Sequence, residues 1–208
     1  MRADRLPIFE KLLFELACSN FKFKEFASFK EFDWDGSLSI SFCMKTVILI
    51  RHAKSSWDDA SMTDFERPLN DRGKKDAPEM AERLSKKKIA IDAFISSPAK
   101  RARKTAVIFA KAFGKDKEDV ILIDKLYEAA EKDFYEVISQ LPDSMNNIAV
   151  FSHNPGLTDF ANSLTTDIRI DNVPTSGIFA VSFEGNWSAF KDVRKEFLFF
   201  DYPKNMFD

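Results

Sequence analysis

The chain predicts a sheet covered by helices, the α/β class. Short apolar runs rich in β-branched residues recur along it, separated by segments whose apolar residues fall at helical spacing. The runs are nearly continuous rather than alternating, as expected of strands buried on both faces. Helix start and stop signals fall between them. The length, 208 residues, suffices for one or two compact domains with a sizeable core. Apolar residues make up 45% of the chain, too many for a disordered polymer. No run nears the roughly 18 consecutive apolar residues of a membrane span.

The elements follow in order. Upstream of Met44, Phe9, Leu12, Leu13 and Leu16 repeat at helical spacing and predict a short amphipathic helix over 6–18. Phe21, Phe23, Phe26, Phe29 and Phe32 follow at mixed spacing. Asp33, Asp35 and Gly36 then suggest a turn before the alternation of Leu38, Ile40 and Phe42. Repeated acidic residues argue against a secretory signal. Residues 1–43 are read as a Phe-rich appendage, open to three roles: a packed addition, a partner-binding arm or a functionless extension.

From Met44 the pattern sharpens. Residues 46–50, Thr-Val-Ile-Leu-Ile, predict a buried strand ending at Arg51 and His52. A helix is expected over 71–87 from the stripe Ala77, Met80, Ala81 and Leu84, with Asn70 as its cap; Gly73 and Pro78 weaken its first half. A strand at 91–95 leads to a helix that Ser97 would cap and Pro98 would begin, with Ala102, Ala106, Phe109 and Phe113 inward and Gly114 as terminator. Further strands are expected at 120–123, 148–151, 177–183 and 189–199, and helices at 131–140 and 156–164. Strand order cannot be derived from these runs.

Lys and Arg total 31 against 33 for Asp and Glu, a net charge of −2. That balance gives no support to bulk nucleic-acid or anionic-membrane binding but leaves room for a local cationic pocket. Cys18 and Cys43 make neither a disulfide framework nor a zinc site by themselves. A soluble, cytoplasmic protein fits these features. Of its two histidines, His52 and His153 each stand just beyond a predicted strand, and ligands of α/β sheets commonly sit outside such strand ends. A third strand end leads into residues 96–101, Ser-Ser-Pro-Ala-Lys-Arg. Arg51 and Arg101 can hold nonbridging phosphate oxygens by charged, directional hydrogen bonds. One neutral imidazole can attack phosphorus while the other donates to an equatorial oxygen. Spacing alone does not decide which histidine attacks.

Four ordered segments carry a resemblance: Arg51-His52-Ala53-Lys54 after its strand, residues 67–73 (Arg-Pro-Leu-Asn-Asp-Arg-Gly), residues 96–105 (Ser-Ser-Pro-Ala-Lys-Arg-Ala-Arg-Lys-Thr), and Ser152-His153-Asn154-Pro155-Gly156. Through them, residues 44–208 resemble the histidine phosphatase superfamily, and within it the SixA-like phosphohistidine phosphatase branch, which tolerates Ala at the position of Ala53. The resemblance implies a three-layer α/β/α sandwich of the phosphoglycerate mutase-like kind and a catalytic domain over 44–208. It implies transient phosphorylation of His52 in a pocket completed by Arg51, Arg101 and His153, with no metal or cofactor. The substrate it suggests is a phosphohistidine-bearing protein, with a small phosphomonoester as the alternative. A noncatalytic phosphate-binding or partner module is the reading from a different class.

The remaining polar residues admit two readings each. Arg67 is either an auxiliary anion contact or a loop ion pair with Asp64 or Glu66. Ser97 is a helix cap before it is a chemical group. Asn154 either orients the second histidine loop or satisfies its backbone. Trp57 packs against substrate at the rim or against the protein. Glu128 and Asp64 are the candidate proton donors; a departing imidazole needs less acid assistance than an alkoxide. Lys100, Arg103 and Lys104 are assigned mainly to solvent, because no aromatic platform accompanies them to bind nucleic acid.

Overall fold

The computed structural model describes residues 44–57 and 61–205; the expectations for 1–43 lie outside the described residues. Six strands form one mixed sheet: β1 (Met44–Arg51), β2 (Ala93–Ser96), β3 (Val120–Leu122), β4 (Asn147–Ser152), β5 (Ile178–Glu184) and β6 (Glu196–Asp201), in spatial order β3-β2-β4-β1-β5-β6. The first four are mutually parallel; β5 runs antiparallel to β1, and β6 to β5. Among the described residues, four helices cover the sheet: α1 (Asp71–Lys86), α2 (Lys100–Ala112), α3 (Glu131–Ser139) and α4 (Gly156–Leu164).

Strand alternation distributes β1 between two cores. Val47 and Leu49 pack with Phe134 of α3, Phe160 of α4 and Trp187, while Ile48 and Ile50 pack with Met80 and Leu84 of α1 and Phe109 of α2. All four strand residues are fully buried, which is why the run reads as continuous rather than alternating. Cutting Leu49 to Ala would cost roughly 2–5 kcal/mol, since neighbours on both sides of the sheet limit collapse into the space. The result is the expected three-layer α/β/α sandwich.

One expected helix is confirmed along its whole length, and two expected boundaries move. The first half of α1 is helical despite Gly73 and Pro78, with the Asn70 side chain accepting from Gly73 N at 2.9 Å. Ser97 and Pro98 do not begin α2; its cap position is Ala99 and its first residue Lys100. Pro98 disfavours the α region at Ser97, and the Ser97 hydroxyl is engaged by His153 instead. The expected strand at 189–199 is shorter at its start: Ala189 closes a 3-10 turn (Trp187–Ala189), Phe190 packs into the core beside Trp187, and the strand starts only at Glu196.

Candidate active site

The last residues of the adjacent parallel strands β1 and β4, Arg51 and Ser152, are register partners. The chain therefore leaves both strands at one level and delivers the two histidines side by side. His52 N donates to Ser152 O at 3.1 Å, and the imidazole centroids are 4.9 Å apart. On the other flank of β4, β2 ends at Ser96 and passes through Ser97 into α2. The first turn of that helix carries Arg101 to the same point, where its Nε donates to His52 Nε2 at 3.3 Å. Arg51, His52, Arg101 and His153 thus meet at the carboxyl ends of three strands.

Close backbone packing braces both histidine loops. A side chain at Gly73 would put its Cβ 2.1 Å from Lys54 O, and one at Gly156 would put it 1.8 Å from Ala129 O. Only glycine lets α1 lie against the segment after His52 and α4 against the segment after Tyr127. Thr105 adds a third brace: its Oγ1 accepts from Ala53 N at 3.0 Å and donates to Arg101 O at 2.7 Å.

Hydrogen bonds separate the two imidazoles. His52 Nδ1 lies 2.8 Å from Ala53 O. A carbonyl only accepts, so the proton resides on Nδ1 and Nε2 keeps a lone pair. Burial, followed by the proximity of His153, pushes the His52 pKa well below 6.5, against the opposing bond to Ala53. His153 is held through its other nitrogen, with Nε2 2.8 Å from Ser97 Oγ. That oxygen also accepts from Ala99 N at 3.3 Å and keeps its own proton to donate to Nε2. When Ser97 donates, His153 carries its proton on Nδ1, a buried atom without a hydrogen-bond partner among the described residues. Burial, then the charge of Arg101, lowers its pKa to about 3. Both rings are neutral near pH 7; His52 presents a lone pair, and His153 presents an N–H when Ser97 donates to its Nε2.

The cations are oriented for an anion. Arg51 Nη1 donates to Val173 O at 2.8 Å and Asn172 Oδ1 at 3.2 Å, while its buried Nε has no partner among the described residues. Burial first, then Arg101, lowers the Arg51 pKa. The fold presses two like charges together, and an anion between them relieves that repulsion. Asn154 shares the Arg51 anchor, its Nδ2 donating to Asn172 Oδ1 at 2.6 Å and Val173 O at 3.1 Å, so it ties the second histidine loop to residues 172–173.

The carboxylate that reaches the cations is Asp64, from a 3-10 turn (Asp64–Glu66). Its Oδ2 accepts from Arg101 Nη2 at 2.7 Å and Tyr127 OH at 3.0 Å, and its Oδ1 from Arg67 Nη1 at 2.7 Å. Arg101 Nη1 also donates to the Asp64 carbonyl. Burial opposes ionisation, but the Arg101 bond and charge, with the bonds from Tyr127 and Arg67, outweigh it and hold the Asp64 carboxyl below the usual range. Arg67 itself is buried, donating further to Ser56 O at 2.9 Å and Ser55 Oγ at 2.6 Å, with the exposed Trp57 ring 3.2 Å from its guanidinium carbon. It thus makes the loop ion pair. Glu128 is exposed, in a left-handed conformation (φ 52°), and forms no hydrogen bond or ion pair among the described residues.

Several groups at this site carry no local signal in the sequence. Tyr127 meets Asp64 across 63 positions, and its ring stands edge-on to His153 at 5.5 Å. Ser176, at φ 61°, donates its amide to Arg51 O and has a buried hydroxyl without a partner among the described residues. Ser97 was legible as a cap, not as the partner of a histidine 56 residues away.

The model of the histidine phosphatase superfamily (branch 1) matches residues 47–161, more than half of the chain and spanning both histidines. The chain belongs to this superfamily. An uncharacterized chloroplastic protein of Arabidopsis thaliana is 35% identical over 138 residues, which are 62% of this chain and 62% of that relative. A metal-independent phosphoserine phosphatase of the same plant is 34% identical over 84 residues, 39% of this chain and 35% of that protein. Among solved structures, the protein histidine phosphatase SixA complexed with tungstate superposes with a TM-score of 0.67 at 21% identity, covering 77% of this chain and 99% of that one. A phosphoglycerate mutase from Bacillus anthracis gives 0.55 at 15% identity, with 76% and 92% covered. These likenesses place this member of the superfamily in the phosphoglycerate mutase-like fold expected from the resemblance. No helix among the described residues is long and apolar enough to cross a membrane.

Proposed function

We propose that this histidine phosphatase hydrolyses protein phosphohistidine in the cytoplasm, through a covalent phosphohistidine intermediate on His52 and without a metal, and that residues 44–208 form its catalytic unit. One observation carries the mechanism: a His52 Nε2 lone pair in contact with Arg101, facing a second neutral imidazole. His52 Nε2 attacks phosphorus; the P–N bond of the substrate breaks and its imidazole leaves with a proton on nitrogen. Water then attacks the phosphohistidine, forming a P–O bond and breaking the P–Nε2 bond. Inorganic phosphate departs and His52 is neutral again. Arg51 and Arg101 neutralise charge on the equatorial oxygens, and the His153 Nδ1–H donates to one of them as it grows.

The substrate class is supported by the acids. Asp64 is held as a carboxylate, and Glu128 is exposed, without a hydrogen bond or ion pair among the described residues. An alkoxide leaving group needs a proton in the transition state, whereas an imidazole already protonated on its far nitrogen leaves far more readily. Likeness to the SixA fold points the same way. In this reading Asp64 occupies the Arg101 fork as a carboxylate and yields it to phosphate. A small phosphomonoester is the second reading, favoured by similarity to the phosphoserine phosphatase over part of the chain.

Rapid-quench kinetics test both. A phosphohistidine-bearing protein and a panel of small phosphomonoesters are mixed with the full chain, and label bound to His52 is followed alongside phosphate release. A His52 adduct that forms and decays at the rate of release from the phosphoprotein is expected. Turnover confined to a small ester would overturn the substrate class, and phosphate release with no adduct would overturn the covalent route. Binding of phosphate without turnover of any donor would indicate the noncatalytic module.

A further inference from the structure

Helix α2 has a second functional face. Arg101 and Thr105 turn inward to the His52 loop, whereas Lys100, Arg103, Lys104 and Val107 line an open groove of about 710 Å³ on its other side. Lys74 of α1 and Lys117 from the turn before β3 bring the groove to five cations against one acid, Glu118. In a chain of net charge −2, this concentrates positive charge on a protein that is otherwise acidic. Lys74 is paired with Asp71 at 2.9 Å and Lys117 with Glu118 at 3.3 Å, while Lys100 reaches Glu66 only at 3.9 Å. Arg103 and Lys104 are exposed and have no acidic partner within ion-pair distance among the described residues.

The floor of the groove is aliphatic, built from Leu69, Val107, Ile108, Val120 and Leu122. Cations around an aliphatic floor match an amphipathic segment with acidic residues on one face and aliphatic ones on the other. A nucleic-acid strand would call for aromatic platforms, and no aromatic side chain lines this groove. Position completes the argument: Lys100 immediately precedes Arg101 at the start of α2, so the groove adjoins the helix turn that carries the pocket arginine. A protein that presents a phosphohistidine to His52 would pass close to it.

We propose that this groove docks an acidic, amphipathic segment of the phosphoprotein substrate, a reading that rests on the protein phosphohistidine function above. The test is fluorescence anisotropy on the full chain with a labelled, unphosphorylated helical peptide carrying one leucine face and one glutamate face. The Arg103→Glu/Lys104→Glu protein should bind it about tenfold more weakly, and the Arg103→Gln/Lys104→Gln protein by an intermediate factor. Added salt should weaken the wild type more than either variant. With an acidic phosphohistidine protein, the reversal should raise KM and leave kcat, and it should leave turnover of phosphoramidate unchanged. Equal peptide affinity in wild type and reversal variant would overturn the groove. So would equal binding of a glutamate-serine peptide, or tighter binding of an oligo-dT strand, which would assign the face to nucleic acid. Charge-dependent peptide binding without any phosphoprotein turnover would refute the substrate assignment while retaining an acidic-peptide site.

Discussion

His52 and His153 sit at matched positions, each one residue beyond the end of neighbouring parallel strands and each buried and neutral, but they are tethered by opposite nitrogens. His52 is fixed by its own backbone, Nδ1 to the next carbonyl, which turns a lone pair toward the pocket. His153 is fixed by a hydroxyl from another segment, Nε2 to Ser97, which leaves an N–H when the hydroxyl donates. Two imidazoles with the same burial are thus tethered differently: a carbonyl sets the tautomer of His52, whereas a hydroxyl accommodates either tautomer of His153. Division of labour within a symmetric-looking pair requires no difference in residue type.

The comparison breaks first at His52. In the His52→Ala protein, kcat should fall roughly 10⁴-fold with no adduct in quenched samples, because no other group offers a lone pair at that point; unchanged turnover in a folded variant would reject the nucleophile. His153→Gln should cost about 10²–10³-fold in kcat while the adduct still forms slowly, as expected for loss of a donor to the transition state. Complete loss of the adduct would mean that the two histidines are not separable in role. Ser97→Ala removes the tether of His153 along with the acceptor for Ala99 N, and about a tenfold loss in kcat with little change in KM is expected, restored by Ser97→Thr. A loss that Thr fails to restore, accompanied by a lowered melting temperature, would mark Ser97 as structural.

Asp64→Asn sharpens the electrostatic side. With the competing carboxylate gone, inhibition by inorganic phosphate should tighten by about threefold to tenfold. A 10²-fold fall in kcat, on the order expected for removal of a general acid, would instead make Asp64 the proton donor. The smallest effect is a near absence of change. The neutral form of His52 attacks, and its lowered pKa keeps it neutral as pH falls. From about pH 7.5 to about pH 5.5, adduct formation should therefore stay nearly flat, whereas an ordinary imidazole of pKa ~6.5 would lose about tenfold. An acid limb near 6.5 would contradict that wiring. The same two shifts bear on stability: unfolding returns both histidines to ordinary values, so stability present above about pH 6.5 should decline as pH drops toward the folded-state values, and the melting temperature with it.

Much of the fold was legible because it is locally determined. The apolar stripe of α1 and its Asn70 cap specify that helix within a turn of its observed limits, and the run 46–50 reads as a doubly buried strand from composition alone. The start of α2 was misread because a serine before a proline is a good cap locally, while its hydroxyl had a stronger claim from His153. The start of the 189–199 strand was misread because Phe190 is a core residue packed from the end of a turn, and a buried aromatic residue alone does not distinguish a turn from a strand.

By itself, the sequence determined the family, the alternation of strands and helices, and the strand-end placement of His52, Arg51 and His153, because each depends on residues within a few positions of one another. Tertiary structure decided the strand order and the antiparallel turn of β5. It also decided the carboxylate seated in the Arg101 fork and the hydroxyl that tethers His153. Those depend on pairs such as Asp64 with Tyr127 and Ser97 with His153, separated by 63 and 56 residues. A hydrogen bond is won or lost over a few tenths of an ångström, and only the packed sheet sets such distances between segments so far apart in the chain.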